Sequence, residues 1–325
     1  MSDRSIAVSV IVPNYNYARF LRQRIDSILA QTYDDYEIIL LDDASSDESV
    51  SILNNYRDDA RVTHIEVNTE NSGSPFSQWL KGITLAKGRY IWIAESDDVA
   101  LPTFLECAVS ALDKNTSASF AFVGSNCIDA DNKPLAIDFD HWSSRHKSYE
   151  IGHFDGNEYI EHNLYWRNYI YNASGVVFRK AFFDKIVDFS CFSMRYSGDW
   201  LFWVEMARVG SVIEIYQKLN IFRQHKNSTT KQSVATGAGI VEDILIVKKI
   251  EEYSPQIGAY KRSVRRGSFV KKIGRLKAYP MQKKALYESL YSHLGGTIKD
   301  YYVERFNKMF SGILPWTITC KRDRL

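Results

Sequence analysis

The sequence predicts an α/β fold: a mixed, mainly parallel sheet flanked by helices, with a helical C-terminal extension. Short apolar runs at 8–12, 37–41 and 90–94 mark strands buried on both faces. Segments of helical periodicity alternate with them, as the crossovers of a parallel sheet require. After Thr230 the pattern changes to basic helical segments.

The elements follow in order. Val8 to Val12 is the first strand, and Ala18 to Gln31 is an amphipathic helix because Leu21, Ile25, Ile28 and Leu29 recur at helical spacing. A second strand and helix follow, then a strand from Val62 to Val67, a helix around Phe76 to Ala86 and a strand at 90–94. Leu101-Pro102 opens a helix through Leu112, and Phe120 to Val123 returns as a strand. Residues 129 to 160, with the His141-Trp142 to His146-Lys147 stretch, form a polar connection of functional or mobile character. Val176–Phe178 and Val212–Ile215 resume the sheet around a helix from Trp200 to Arg208. Ile240 to Glu252 and Tyr260 to Lys277 read as helices. The boundary therefore falls near 230–240, with one domain over 1–235 and a basic helical region over 236–325.

With 45% hydrophobic and 25% charged residues in 325, the chain can bury a large core. The net charge of +2 hides a split: residues 261–325 hold sixteen Lys and Arg against four Asp and Glu. An acidic body and a basic tail result. Cys107, Cys127, Cys191 and Cys320 fit no zinc or redox spacing and read as reduced thiols. No apolar run is long enough to span a membrane, and Met1-Ser2-Asp3-Arg4-Ser5 precedes no signal region. The expected location is cytoplasmic, peripheral on the inner face of the membrane.

Acidic residues gather at strand ends. The second strand runs into Asp42-Asp43-Ala44-Ser45-Ser46-Asp47, and Tyr90–Ala94 into Glu95-Ser96-Asp97-Asp98. Buried carboxylates are costly unless something positive is held there. In open α/β sheets ligands sit beyond the carboxyl ends of the strands, and oxygen-rich clusters suit a hard divalent cation. A metal-bridged phosphate is the expected guest.

These segments, with Val8–Asn16, Ala86-Lys87-Gly88-Arg89-Tyr90 and Gly198-Asp199-Trp200, resemble the inverting family 2 glycosyltransferases of GT-A fold, the type that builds bacterial cell-surface glycans. The resemblance spans about residues 6–230. It implies that Pro13, Tyr15, Asp43, Asp97, Arg223 and His225 hold a nucleotide sugar, with Tyr15 and Asp43 at the uridine. It implies Mn²⁺ or Mg²⁺ on Asp97 and Asp98, and Asp199 as the base that deprotonates the acceptor hydroxyl. Asp199 also suits a helix N-cap, and the two roles are not exclusive. Trp166 and Asn172 fall where the family shapes its acceptor site, although the aromatics at 165–171 also suit a core. Two departures stand out: Glu95 replaces a more usual Asp, and Trp79-Leu80 stands where many members have Arg-Asn.

The expected function is transfer of a sugar, UDP-linked by this reading, to a hydroxyl of a glycan or lipid-linked glycan. The alternative is a catalytically silent nucleotide-sugar-binding or scaffold protein on the same fold. A nucleotidyltransferase would want a Gly-rich phosphate loop after the first strand, which Pro13-Asn14-Tyr15-Asn16-Tyr17 does not supply. No nucleic-acid module is recognisable. The basic tail suits an anionic membrane surface, with helical oligomerisation as the other reading.

Overall fold

Alternate residues of the first strand enter opposite apolar layers. Val8, Val10 and Val12 pack with Ile38, Leu40, Tyr90 and Trp92 on one side of the sheet, and Ile11 packs with Ile39, Leu41, Ile91 and Ile93 on the other. Burial on both faces explains the unbroken apolar runs. The computed structural model describes residues 6–140, 150–225, 237–277 and 279–318. The His141–Lys147 stretch, Lys226 and Cys320 lie outside them.

β1 (Val8–Asn14) leads through α1 (Ala18–Leu29) to β2 (Tyr36–Asp42), α2 (Ser49–Asn54), β3 (Val62–Val67), α3 (Pro75–Leu85) and β4 (Tyr90–Ile93). The chain continues through β5 (Val99–Ala100), α4 (Phe104–Lys114), β6 (Ala118–Asp129), β7 (Pro134–Leu135), β8 (Ile151–Phe154) and α5 (Gly156–Tyr159). Then come β9 (Val176–Arg179), α6 (Lys180–Phe183), α7 (Gly198–Val209) and β10 (Ser211–Gln224). The sheet order is β3-β2-β1-β4-β9-β6-β10-β5, with β7 beside β6 and β8 beside β10. Strands β3, β2, β1 and β4 are parallel, whereas β9 runs antiparallel between β4 and β6. Asn14 pairs with Asp42 and Ile11 with Ile93, so β1, β2 and β4 end along one edge.

Gly88, in the turn into β4, has a packing reason. A Cβ there would stand 2.5 Å from the Ser9 nitrogen. Its N–H donates to Ser9 Oγ (2.7 Å), Ser9 Oγ donates to Glu37 Oε1 (2.6 Å), and the Lys87 N–H donates to the same oxygen (2.8 Å). The 86–90 segment is thus a lock between three strands.

Among the described residues the helices Ala238–Tyr253, Ala259–Arg275, Pro280–Leu294 and Asp300–Phe310 follow. Their Ile244, Val247, Phe269 and Leu290 belong to the same apolar cluster as Trp200 and Phe202 of α7 and Phe178 of β9. The basic helices are therefore seated on the sheet's outer layer. No helix among the described residues is long and apolar enough to cross a membrane. Cys107, Cys127 and Cys191 are free thiols.

Candidate active site

A cleft of about 920 Å³ opens beyond the ends of β1, β2 and β4. Pro13 and Tyr15 line it from the turn after β1, Asp43 from the turn after β2, Gln78 from α3, Glu95 from the end of β4, and His225 from just past β10. Tyr15 is 46% exposed, offering its ring to the opening.

The two turns are stitched together by their own polar side chains. Asn14 Nδ2 donates to Asp42 Oδ2 (2.7 Å), Ser45 Oγ donates to the same atom (2.7 Å), and the Ser46 N–H donates to Asn16 Oδ1 (2.8 Å). Asp47 caps α1 by accepting from the Ala18 N–H (3.0 Å). Asn16 and Ala44 hold positive φ values of 56° and 61°. For Ala that conformation costs about 1–3 kcal/mol, and such strain collects at binding sites. Asp43, 3% exposed, accepts at Oδ1 from Asn68 Nδ2 (2.6 Å) and Gln78 Nε2 (2.8 Å), and at Oδ2 from Ser72 Oγ (2.7 Å). Its orientation is fixed by α3 and by the loop before it.

The acidic strand end is layered. Glu95 faces the cleft and accepts from Trp79 Nε1 at 2.8 Å. Burial, then the Asp97 charge, push its carboxyl up to about 8. Asp97 Oδ2 meets His225 Nε2 at 2.9 Å, and the His225 ring lies edge-on to Tyr17. Asp98, 2% exposed, sits beneath; its Oδ1 accepts from the Arg223 N–H (2.9 Å), and burial with the Asp97 charge raises it to about 7. Arg24 lies under all three, wholly buried, with its guanidinium 4.9 Å from the centre of the Trp92 ring. Burial lowers it to about 10 against the pull of Asp98, Asp97 and Glu95. None of its nitrogens has a hydrogen-bond partner among the described residues, so it serves the carboxylates as a charge.

Arg223 departs from expectation. It does not line the cleft: it is 1% exposed, with Nε donating to the Asp97 carbonyl (2.7 Å), Nη1 to the Asp129 carbonyl (3.0 Å) and to Asn132 Oδ1 (2.9 Å), and Nη2 to Gln23 Oε1 (2.8 Å). All three of its nitrogens donate to the protein, and they brace β10 against the acidic turn.

Asp199 opens α7, in a separate cavity of about 780 Å³ that Trp166 and Asn168 also line. Asn168 Nδ2 donates to Asp199 Oδ2 (2.8 Å), and burial raises the carboxyl to about 7. Gly198 must be small, since a Cβ would stand 2.4 Å from the Cys191 carbonyl. The preceding loop is held from the C-terminal helices: Glu242 accepts the N–H groups of Arg195 (2.9 Å), Tyr196 (2.9 Å) and Ser197 (2.7 Å). Arg195 lines the cleft while Tyr196 and Ser197 line the cavity, so the two spaces adjoin there. Asn172, expected beside the acceptor, lines neither; its Oδ1 accepts from the Ser174 N–H (2.8 Å) and so caps a turn. Tyr165 and Tyr169 are core residues, 0% and 2% exposed.

Gln78, Asn168, Arg24 and Glu242 escape sequence reasoning. Each lies within an ordinary helix or loop, and only its fold neighbours single it out.

The sequence model of Glycosyl transferase family 2 matches residues 9–187. The chain belongs to glycosyltransferase family 2. An uncharacterized glycosyltransferase of Rickettsia prowazekii is 29% identical over 229 residues, covering 70% of this chain and 67% of that protein. A putative teichuronic acid biosynthesis glycosyltransferase of Bacillus subtilis is 32% identical over 135 residues, 42% of this chain and 53% of that one. In fold, this family 2 chain is similar to S. aureus TarS 1–349 solved with UDP-GlcNAc: TM-score 0.57, 14% identity, 93% of this chain and 92% of that one. That match extends the GT-A likeness past residue 187 to the C-terminal helices.

Proposed function

We propose that this family 2 glycosyltransferase moves a sugar from a UDP-linked donor in the 920 Å³ cleft to a hydroxyl of a glycan or lipid-linked glycan, with inversion. The observation that carries the reading is Asp199: a carboxylate raised to about 7, held by Asn168, in a cavity that adjoins the cleft. A base whose pKa lies near neutrality is matched to its task. Asp199 takes the hydroxyl proton; the acceptor oxygen bonds to the anomeric carbon as the bond to the diphosphate breaks, and the single displacement inverts that centre. Tyr15 offers a stacking face for the base, Pro13 and Asp43 form the wall beside it, and His225 faces the diphosphate. The UDP-GlcNAc bound to S. aureus TarS and the wall-polymer relative support a nucleotide-sugar donor and a cell-surface polysaccharide product.

Among the described residues no three His, Cys, Asp or Glu side chains form a ready-made metal cage. The donor set nevertheless fits a divalent ion: Asp97 and Asp98 are hard oxygen ligands, and Mg²⁺ or Mn²⁺ is commonly held by one or two carboxylates plus substrate phosphates. Asp98 is raised by burial and then by the Asp97 charge, a cost a cation relieves. When bound, the ion would stabilise negative charge on the leaving diphosphate.

On this reading residues 1–235 are the catalytic domain and 236–325 a basic region that also meets an anionic membrane surface. Tyr302, Met309, Ile313 and Trp316 are 68%, 66%, 73% and 61% exposed beside Arg305 and Lys308, and cationic apolar surfaces suit such lipids. Calorimetry with UDP, with and without Mn²⁺, followed by a transfer assay over UDP-sugars, tests the function. Equal UDP affinity in EDTA would remove the metal from it, and absence of UDP binding would remove the donor.

A further inference from the structure

The cavity that holds Asp199 carries a charge pattern that the transfer reaction alone does not require. Five cations line it, Arg167, Arg265, Lys271, Lys272 and Arg275, against the carboxylates Asp199, Asp243 and Glu304. Lys271 Nζ is paired with Glu304 (2.7 Å) and Lys272 Nζ with Asp243 (2.7 Å). The cations outnumber the carboxylates by two. Arg265 is 7% exposed and stands 4.2 Å over the Phe269 ring, with Nη1 donating to Ser268 Oγ (3.0 Å), so its fork is held in place. Arg167 and Arg275 are exposed and have no carboxylate partner among the described residues.

These charges do not serve the donor's diphosphate, because the cavity and the donor cleft share no lining residue. They also converge on a concave space with Trp166, Trp200 and Phe269. Planar guanidinium groups suit phosphate and carboxylate oxygens, and aromatic walls suit sugar rings.

We propose that this cavity is an acceptor site for an anionic saccharide polymer, one bearing phosphodiester or carboxylate groups along the chain, with Arg167, Arg265 and Arg275 setting the preference. The proposal rests on Asp199 being the base of the glycosyl transfer, and deepens that reading by naming the acceptor's chemistry.

The test is isothermal titration of the full chain, saturated with UDP and Mn²⁺, with three soluble tetramers: a glycerol phosphate oligomer, a galacturonate oligomer and neutral maltotetraose. One anionic probe is expected to bind at least about ten-fold tighter than maltotetraose, and which one it is separates phosphodiester from carboxylate. Arg167→Glu with Arg275→Glu should weaken that probe by about ten-fold or more, as reversal of unpaired charges facing an anion does. Lys284→Glu, on the exposed side of Pro280–Leu294, should leave it unchanged. Binding of neither anionic probe, equal binding of maltotetraose, or an affinity untouched by the double reversal overturns the proposal. UDP affinity is read in the same samples: its absence in the unaltered chain would sink the donor-cleft reading, whereas its retention beside any of those three results would sink the anionic acceptor alone.

Discussion

Trp79 Nε1 donates to Glu95 Oε1 at 2.8 Å, so the chain's two departures from its family's pattern are one interaction. An Asp at 95 would be one methylene too short to stand where Glu95 does, and an Arg at 79 would not pack among Phe76, Phe202 and Trp203 as the indole does. Leaving a buried acceptor unpaired costs about 1–3 kcal/mol. Trp79→Phe should therefore destabilise by at least that amount in urea unfolding. In a double-mutant cycle, Glu95→Gln should cost less in the Trp79→Phe background than alone. Additive costs would show the bond to be incidental.

Asp199 links pH to both turnover and stability. Its folded-state value is raised to about 7, above the unfolded value of about 4. The folded chain thus keeps a proton that the unfolded chain releases, and the resulting stabilisation is fully present below about 4 and lost as pH rises through about 7. Asp199→Asn removes that loss, so at pH 8 it should melt above the unaltered chain and at pH 4 close to it. Turnover should fall by about 10²- to 10⁴-fold with UDP affinity held. A lower melting temperature with activity per folded molecule intact would make the residue a cap only.

Arg24→Met should have effects of opposite sign with and without ligand. The substitution leaves Glu95, Asp97 and Asp98 without their buried counter-charge and lowers the melting temperature of the free chain. It also removes a positive charge beneath the proposed cation site, so the further rise in melting temperature on adding Mn²⁺ and UDP should be larger than in the unaltered chain. An equal rise in both would mean that Arg24 does not sense the ion.

Glu242→Ala removes one acceptor from three backbone N–H groups. Turnover should fall while UDP affinity changes little, because the seated loop leads to Asp199 and only its Arg195 touches the cleft. Glu242→Gln, which retains one carbonyl oxygen, should fall in between. Loss of UDP binding instead would place the loop's function in the cleft.

Membrane attachment is checked by sedimentation with vesicles. Each basic residue near an anionic surface contributes about 1 kcal/mol, screened by salt. Ile313→Ser with Trp316→Ser should lower binding to anionic vesicles, and binding should weaken as salt rises. Point changes are preferable to cutting at 235, because Ile244 and Val247 belong to the core cluster.

Much of the parallel half of the sheet is legible in the sequence because apolar runs between helices leave few alternatives. The direction of β9 is not: Val176-Val177-Phe178 is equally apolar read either way. β6 and β10 outrun the expected strands because polar residues continue them; Asn220 Nδ2 donates to Ser125 Oγ (3.0 Å) across the pair, inside the sheet. Asp43, Asp97 and Asp98 announce themselves by their place at strand ends. That Asp98 is buried, that Arg223 faces inward and that Arg24 lies wholly inside is not legible, because Arg24 looks like one more polar residue of an amphipathic helix.

The separation of the two spaces bears on the order of events. On the proposed reading the donor lies against Pro13, Tyr15 and Asp43, and the acceptor in a cavity with Asp199 that shares none of those residues. On that reading either substrate would be free to arrive first, and spent nucleotide would leave while the lengthened chain stays. Successive additions to one polymer without release would then be sterically open, with the segment at 195–197 standing between the two spaces among the described residues.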